Sequence, residues 1–326
     1  MYLVTGGAGF IGSNVVAALN EAGHGDVVVC DTLGHDGKWR NLAKRQLADI
    51  VPPHELFDWL QGRRLDAVIH LGAISETTAT DGDLVIATNF RLSLSLLDWC
   101  AAQAVPFIYA SSASTYGDGA EGFADDNSLV ALRRLKPMNL YGWSKHLFDM
   151  AVVARATEGG AMPPQWVGLK FFNVFGPNEY HKGAMMSVLA KRFDDIRAGR
   201  VVELFRSHRE GIADGEQRRD FIHVDDVVRV MTWLLATPSV SGIFNVGTGK
   251  ARSFRDLILA AYAALGTAPN ISYVDMPEHI RGSYQYFTQG EMERLARAGY
   301  NGGFTALEDA VGSYVRSYLD APDRYR

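Results

Sequence analysis

The sequence predicts an α/β fold, a doubly wound parallel sheet with a smaller, discontinuous C-terminal domain. Three observations carry that expectation. Short apolar runs alternate with segments of helical period through the first half, a glycine-rich turn follows the first run directly, and beyond Asn173 the alternation gives way to Gly, Pro and charge.

Taken in order, Tyr2-Leu3-Val4, Val27-Val28-Val29, Ala67-Val68-Ile69, Phe107-Ile108-Tyr109 and Val167-Gly168-Leu169-Lys170-Phe171 are short and mostly β-branched or aromatic. Strands buried on both faces of a parallel sheet read this way. Between them Ile11, Val15, Ala18, Leu19 and Ala22, and later Leu92, Leu96, Leu97 and Cys100, recur at the spacing of a helix that buries one stripe. Residues 176–220 lose the pattern, and the charged stretch Arg206 to Arg219 reads as an exposed loop. From 221 to 247 it returns: Asp225 or Asp226 is placed to cap a helix through Trp233 and Leu235, and Ile243 to Val246 form a strand. The remainder is helical and aromatic-rich, with Tyr284, Tyr286 and Phe287.

Composition narrows the function. A chain of 326 residues has room for two domains, and 47% apolar with 21% charged residues is a globular balance that excludes disorder and fibrous repeats. A formal net charge of -5 gives no field to hold a polyanion, so no nucleic-acid partner is expected. Arg218-Arg219, the nearest basic pair, suits one small phosphorylated ligand or is solvated surface. Two cysteines without CxxC spacing, Cys30 and Cys100, fit buried thiols better than zinc or disulfides. The glycine turn begins by Gly6, leaving no room for a leader, and no run approaches the roughly 18 apolar residues of a membrane helix. The expectation is a cytoplasmic protein with no membrane partner.

Gly6-Gly7-Ala8-Gly9-Phe10-Ile11-Gly12 follows the first strand and opens a helix, the context in which a Rossmann-like dinucleotide fingerprint works. Gly6 takes the tight turn, Gly9 lets backbone approach a pyrophosphate, Gly12 brings helix against strand, and the helix N-terminus offers amides to phosphate. Asp31 ends the second strand, where a carboxylate bonds the adenine ribose and favours NAD. Lys38, seven residues on, either neutralises a 2′-phosphate, favouring NADP, or is a solvated loop lysine. On this basis residues 1–172 and 221–247 are expected to form the dinucleotide-binding domain, and 173–220 and 248–326 a substrate domain.

Tyr141-Gly142-Trp143-Ser144-Lys145 sets a phenol and an ammonium four residues apart, on one face of a helix starting near Asn139. A free phenol titrates near 10, so a nearby cation is needed to make it a base at neutral pH. Ser111-Ser112-Ala113 ends an apolar strand, with Ser112 lying 29 residues before Tyr141, where its hydroxyl can orient a substrate alcohol.

Ser, Tyr and Lys in that order, after a G-x-x-G-x-x-G turn, resemble the extended branch of the short-chain dehydrogenase/reductase superfamily, which acts largely on nucleotide sugars. The likeness spans essentially the whole chain, through Asn89, Phe172-Asn173-Val174-Phe175-Gly176-Pro177, Arg219 to Asp226 and Phe244 to Gly249. Dehydratases of this branch carry an acidic pair after the catalytic hydroxyl, where this chain has Ala113-Ser114. Instead His70 to Thr78, His181-Lys182-Gly183-Ala184-Met185 and Arg281 to Thr288 are similar to the ADP-L-glycero-D-manno-heptose 6-epimerase family.

That resemblance implies an enzyme, an isomerase of lipopolysaccharide core precursor synthesis, that oxidises the sixth carbon of an ADP-heptose with bound NADP and returns the same hydride to the opposite face. It implies Tyr141 and Lys182 as two acid/base groups, with Ser112 polarising the oxygen and Lys145 tuning Tyr141. Asn173, Ala184, Arg219 and Tyr284, with Ser112, fall to the substrate. Gly6, Gly9, Phe10, Ile11, Gly12, Asp31, Thr32, Lys38, Leu71, Gly72, Ala73, Ser75, Asn89, Lys145 and Val174 fall to NADP, with NAD as the alternative. No metal is implied, since the nicotinamide carries the redox chemistry. A homo-oligomer is implied, commonly a pentamer in that family. Two departures stand out: Ala79 where family members often have glutamate, and Pro53 near a further phosphate-holding lysine, which leaves NADP preference on Lys38. The rival readings are another nucleotide-sugar 4-epimerase or reductase, which would not require Lys182, and a dinucleotide-sensing regulator without catalysis.

Overall fold

The computed structural model describes residues 1–282 and 284–326, so Ser283 of the C-terminal motif lies outside the described residues. The strands are β1 (Tyr2–Thr5), β2 (Val27–Cys30), β3 (Asp49–Val51), β4 (Ala67–His70), β5 (Phe107–Ser112), β6 (Trp166–Phe171), β7 (Asn173–Phe175), β8 (Val202–Phe205), β9 (Arg218–His223), β10 (Gly242–Val246), β11 (Ala251–Ser253) and β12 (Ile271–Val274). Seven of them make one sheet in the order β10-β6-β5-β4-β1-β2-β3, every neighbouring pair parallel. The doubly wound sheet is therefore as expected. Helices cover both faces, which is why β2, β4 and β5 are buried along their whole length and each opens on an apolar run.

Strand order reverses beside β1, and the crevice at that switch point opens at the carboxyl ends of the strands. Thr5 pairs with both Cys30 and His70, and Ser112 with Phe171. The register thus delivers Gly6, Asp31, Leu71, Ser112 and Phe172 to one rim.

A second core gathers Phe175, Phe193, Ile196, Phe221, Leu257, Tyr262, Val311 and Tyr314. Around it lie a three-stranded sheet, β11-β9-β7, and the parallel pair β12-β8. Two expectations are corrected here. The charged stretch does not stay a loop to Arg219: β9 begins at Arg218, with Gln217 and Arg219 both buried. The helix Val224–Leu235 is capped by neither aspartate. It starts as β9 ends, so the cap is His223, whose Nδ1 accepts the Asp225 amide at 3.3 Å, while Asp226 is fully buried and accepts from the Thr305 amide at 2.8 Å.

Cys30 and Cys100 are buried as expected. The helix Gly82–Gln103 is long and apolar enough to cross a membrane by length and composition alone, although Asp83, Arg91 and Asp98 interrupt it. Here it lies on the sheet, with Leu96, Leu97 and Cys100 in the core against Val68 and Phe107. Its turns widen to a π-helix over Ile86–Arg91 before the α-helix resumes at Leu92.

Candidate active site

The turn after β1 is as tight as glycine permits. Gly6 has φ +66°, and a Cβ there would stand 2.6 Å from the Gly72 amide nitrogen; a Cβ on Gly12 would stand 2.1 Å from the Gly6 carbonyl oxygen. The helix Phe10–Glu21 then starts at Gly9 with no side-chain cap and no acidic residue in its first turn. Its first amides are left for an anion, and this bare, glycine-walled cradle fits a pyrophosphate. Across from it, Asp31 accepts the Ala8 amide at 2.9 Å, the Thr32 amide at 2.7 Å and the Lys38 ammonium at 2.6 Å. The carboxylate at the end of β2 is thus already matched by a cation.

Gly6, Gly9, Phe10, Ile11, Gly12, Asp31, Lys38, Leu71, Gly72, Ala73, Ser75 and Val174 line one cavity of about 560 Å³ together with Ser112, Tyr141, Lys145, Asn173, Lys182 and Ala184. Thr32 and Asn89 do not line it. Asn89 lies behind the wall, fully buried in the π-helical turns. Its Oδ1 accepts the Ile74 amide at 2.8 Å and its Nδ2 donates to the Ile74 carbonyl at 2.9 Å and to Ser144 Oγ at 3.0 Å. It shapes the 71–75 loop rather than facing a ligand.

The helix Leu140–Thr157 carries Tyr141 and Lys145, and Asn139 caps it by accepting the Gly142 amide at 2.8 Å. Gly142 allows the helix to approach closely: a Cβ would stand 2.7 Å from the Ser114 carbonyl oxygen, which brings Tyr141 to the end of β5. The expected lowering of the phenol by a neighbouring cation is not what dominates. Burial raises Tyr141 above 10, Ser112 pulls it back by hydrogen bonding, and Asp149 raises it further. Burial also brings the Lys145 ammonium from 10.5 down to about 8, against the opposing pull of Asp149.

Behind the pair, Asp149 is wholly enclosed. It accepts the Tyr109 hydroxyl at 3.0 Å and the Ser111 hydroxyl at 2.7 Å, and pairs with Lys170 at 3.0 Å. Lys170 also donates to Thr115 Oγ1 at 2.5 Å, and Thr115 donates to the Ser112 carbonyl at 2.8 Å. The helix bearing Tyr141 and Lys145 and the strand end bearing Ser112 are thereby bolted together.

From the other side comes the short 3-10 segment Tyr180–Met185, in which Gly183 turns the chain at φ +53° just after Lys182. The Lys182 ammonium lies 5.4 Å from the Phe10 ring centre, and burial lowers it from 10.5.

A second cavity of about 460 Å³ adjoins the first, sharing Ser112, Asn173 and Ala184 and adding Arg219 and Tyr284. Arg219 is only 6% exposed, with its guanidinium 5.5 Å from Phe254 and 5.1 Å from Tyr284. It donates to the Arg218 carbonyl at 2.9 Å and forms no ion pair among the described residues, so its charge is available to an anionic ligand. Sequence reasoning missed Phe254, Gln285 and Thr288 in this cavity and Lys191 in the first. No spacing marks them, since each is brought in by packing between distant segments.

The model of the NAD dependent epimerase/dehydratase family matches residues 2–247, three quarters of the chain and every strand of the large sheet. The chain belongs to that family. Within it, an ADP-L-glycero-D-manno-heptose-6-epimerase of Nitratidesulfovibrio vulgaris strain DP4 is 49% identical over 329 residues, covering 100% of both chains. A crystal structure of Helicobacter pylori ADP-L-glycero-D-manno-heptose-6-epimerase superposes with TM-score 0.78 at 29% identity, covering 97% of this chain and 95% of that one. UDP-glucose 4-epimerase of Thermus thermophilus, solved with NAD, superposes with TM-score 0.73 at 25% identity over 96% and 97% of the two chains. The family is NAD dependent, and the glycine-walled half of the cleft has the shape and free amides that a nicotinamide dinucleotide would fit.

Proposed function

We propose that the chain epimerises the sixth carbon of ADP-D-glycero-D-manno-heptose to give ADP-L-glycero-D-manno-heptose, by transient oxidation and hydride return on bound NADP. The observation that carries this reading is that Tyr141 and Lys182 enter one cleft from two different elements. One fixed base reaches a hydroxyl on one face of a carbon; epimerisation at a single cofactor face needs proton management on both. The names of the full-length relatives agree with it.

A nicotinamide held in the glycine-walled half of the cleft would supply the redox chemistry, accepting hydride from the sugar carbon and returning it. The Ser112 hydroxyl holds the sugar oxygen beside Tyr141, which removes or returns the hydroxyl proton of one epimer, while Lys182 does so for the other. Lys145 bonds the nicotinamide ribose, Arg219 meets the diphosphate, and Asn173, Ala184 and Tyr284 seat the rest of the nucleotide sugar. Homo-oligomeric assembly and the domain limits 1–172 with 221–247 and 173–220 with 248–326 belong to the same proposal. A substrate deuterated at carbon six tests it: the label should stay with the product in ordinary water, and washout to solvent would sink hydride return.

Preference for NADP over NAD follows from Lys38 on Asp31. Lys38→Ala is expected to weaken NADP binding about tenfold, the loss of one charge-assisted contact, and to leave NAD binding nearly unchanged. Titration of the apo protein with both cofactors checks this, and an unchanged ratio would remove Lys38 from the argument.

Lys145 predicts a pH dependence. An ammonium that titrates at about 8 is charged below that pH and neutral above it. Activity should therefore fall as pH rises through about 8, and Lys145→Met should lose this limb along with most of the rate. A limb that stays in place in the Lys145→Met enzyme would assign it to another group.

A further inference from the structure

We propose that Glu179 is the positioning residue of the Lys182 arm, closing the loop from which the ammonium enters the cleft and fixing where it stands. The inference rests on the reading of Lys182 as an acid/base group.

Glu179 is fully buried three residues before Lys182. Its carboxylate accepts the Gly176 amide at 3.3 Å on one side of the arm and, on the other, the Ser187 amide at 2.5 Å and hydroxyl at 2.8 Å. The Tyr314 hydroxyl adds a fourth bond at 3.2 Å from the C-terminal helix. One carboxylate therefore closes the loop at both ends and ties it to the second core. Ser187 in turn caps the helix Val188–Arg197 by accepting the Ala190 amide at 3.1 Å, and that helix carries Lys191. The Lys182 amide bonds the Glu179 carbonyl at 3.0 Å, so the arm rises directly from this anchor.

Charge reinforces the geometry. Burial is the largest influence on Lys182 and lowers it; Glu179 raises it and Lys191 lowers it again. Glu179 itself is pushed up by burial and drawn back by Ser187, Lys182 and Gly176. The other groups facing the arm are Tyr314 and Tyr180, both raised chiefly by burial, and His181, lowered by burial and by Lys38 and Lys182. His181 is held from the cofactor side by Asn41 at 3.2 Å, and the apolar ring of Phe10 closes the remaining side. Glu179 is thus the one group among these that favours the Lys182 cation, and it also favours the cation of Lys191, which opposes that of Lys182.

The test follows the titration of the Lys182 side chain by NMR of carbon-13-labelled lysine, the signal being assigned by its absence from Lys182→Met. Glu179→Gln should move the titration to lower pH and Lys191→Met to higher pH. Turnover should fall about ten- to a hundredfold in Glu179→Gln with KM little changed, the loss expected for a misplaced reacting group. Ser187→Ala removes a bond and keeps the charge, so it should slow turnover without moving the titration. If Glu179→Gln does not fold, the Lys191→Met and Ser187→Ala results still decide. Titrations that stay put, or that move the same way in both charge variants, overturn the proposal. Full turnover by Lys182→Met would instead overturn the acid/base reading beneath it.

Discussion

Tyr141→Phe is expected to fold normally and to interconvert the two heptose epimers about 100 to 10,000 times more slowly, the range that a positioned acid/base group contributes. Lys182→Met should fall into the same range. The two losses are not equivalent, because Tyr141 stands at the end of β5 and Lys182 on the arm beyond β7. Given a substrate analogue halted at the aldehyde or ketone level, each variant should retain a different half of the redox reaction, read as formation or consumption of reduced nicotinamide. Identical residual reactions would merge the two roles into one. Thermal unfolding should hardly change in either variant, as both side chains line a cleft.

Breaking the enclosed pair behind the site should act on stability first. Lys170→Met leaves the Asp149 carboxylate, 0% exposed, without its cation, and removing one partner of a buried pair costs about 3–5 kcal/mol. Asp149→Asn combined with Lys170→Met should recover part of that loss, because no bare charge remains. Urea unfolding of the three proteins measures both effects. A single-variant loss below about 1 kcal/mol would mean that the pair is solvated as weakly held surface pairs are. Since Thr115 links Lys170 to the Ser112 carbonyl, residual folded enzyme should also show a lower kcat.

The parts of the site that were legible in the sequence are those built within one element. The glycine turn, the capped helix with Tyr141 and Lys145, and Ser112 at a strand end need only local periodicity. Asp149 and Lys170 were illegible as partners, because their meeting depends on a helix position against the register that pairs Ser111 with Lys170. Arg219 stood out in the sequence only as half of a basic pair, its substrate role came from resemblance, and its setting between Phe254 and Tyr284 joins three distant segments. The charged stretch misled for a similar reason: β9 gains its place by pairing with β7 and β11, not from any run of its own. Asn89 was assigned by likeness alone, and its bonds to Ile74 join two segments that no local period relates.

The widened turns around Asn89 solve a problem of rotational phase. Val85, Asn89 and Ser93 follow at four-residue steps and are all buried. An ordinary helix with about 3.6 residues per turn would swing each successive one further round the axis. Loosening the winding over Ile86–Arg91 cancels the drift, so that Asn89 addresses Ile74 and Ser144 while Ser93, one step on, meets His70 Nε2 at 2.8 Å. The helix therefore behaves as a vernier. Rewinding that stretch to the ordinary pitch at constant length would restore the drift and turn everything before the bulge against everything after it, unlocking the end of β4 from the helix that holds Tyr141 without touching either.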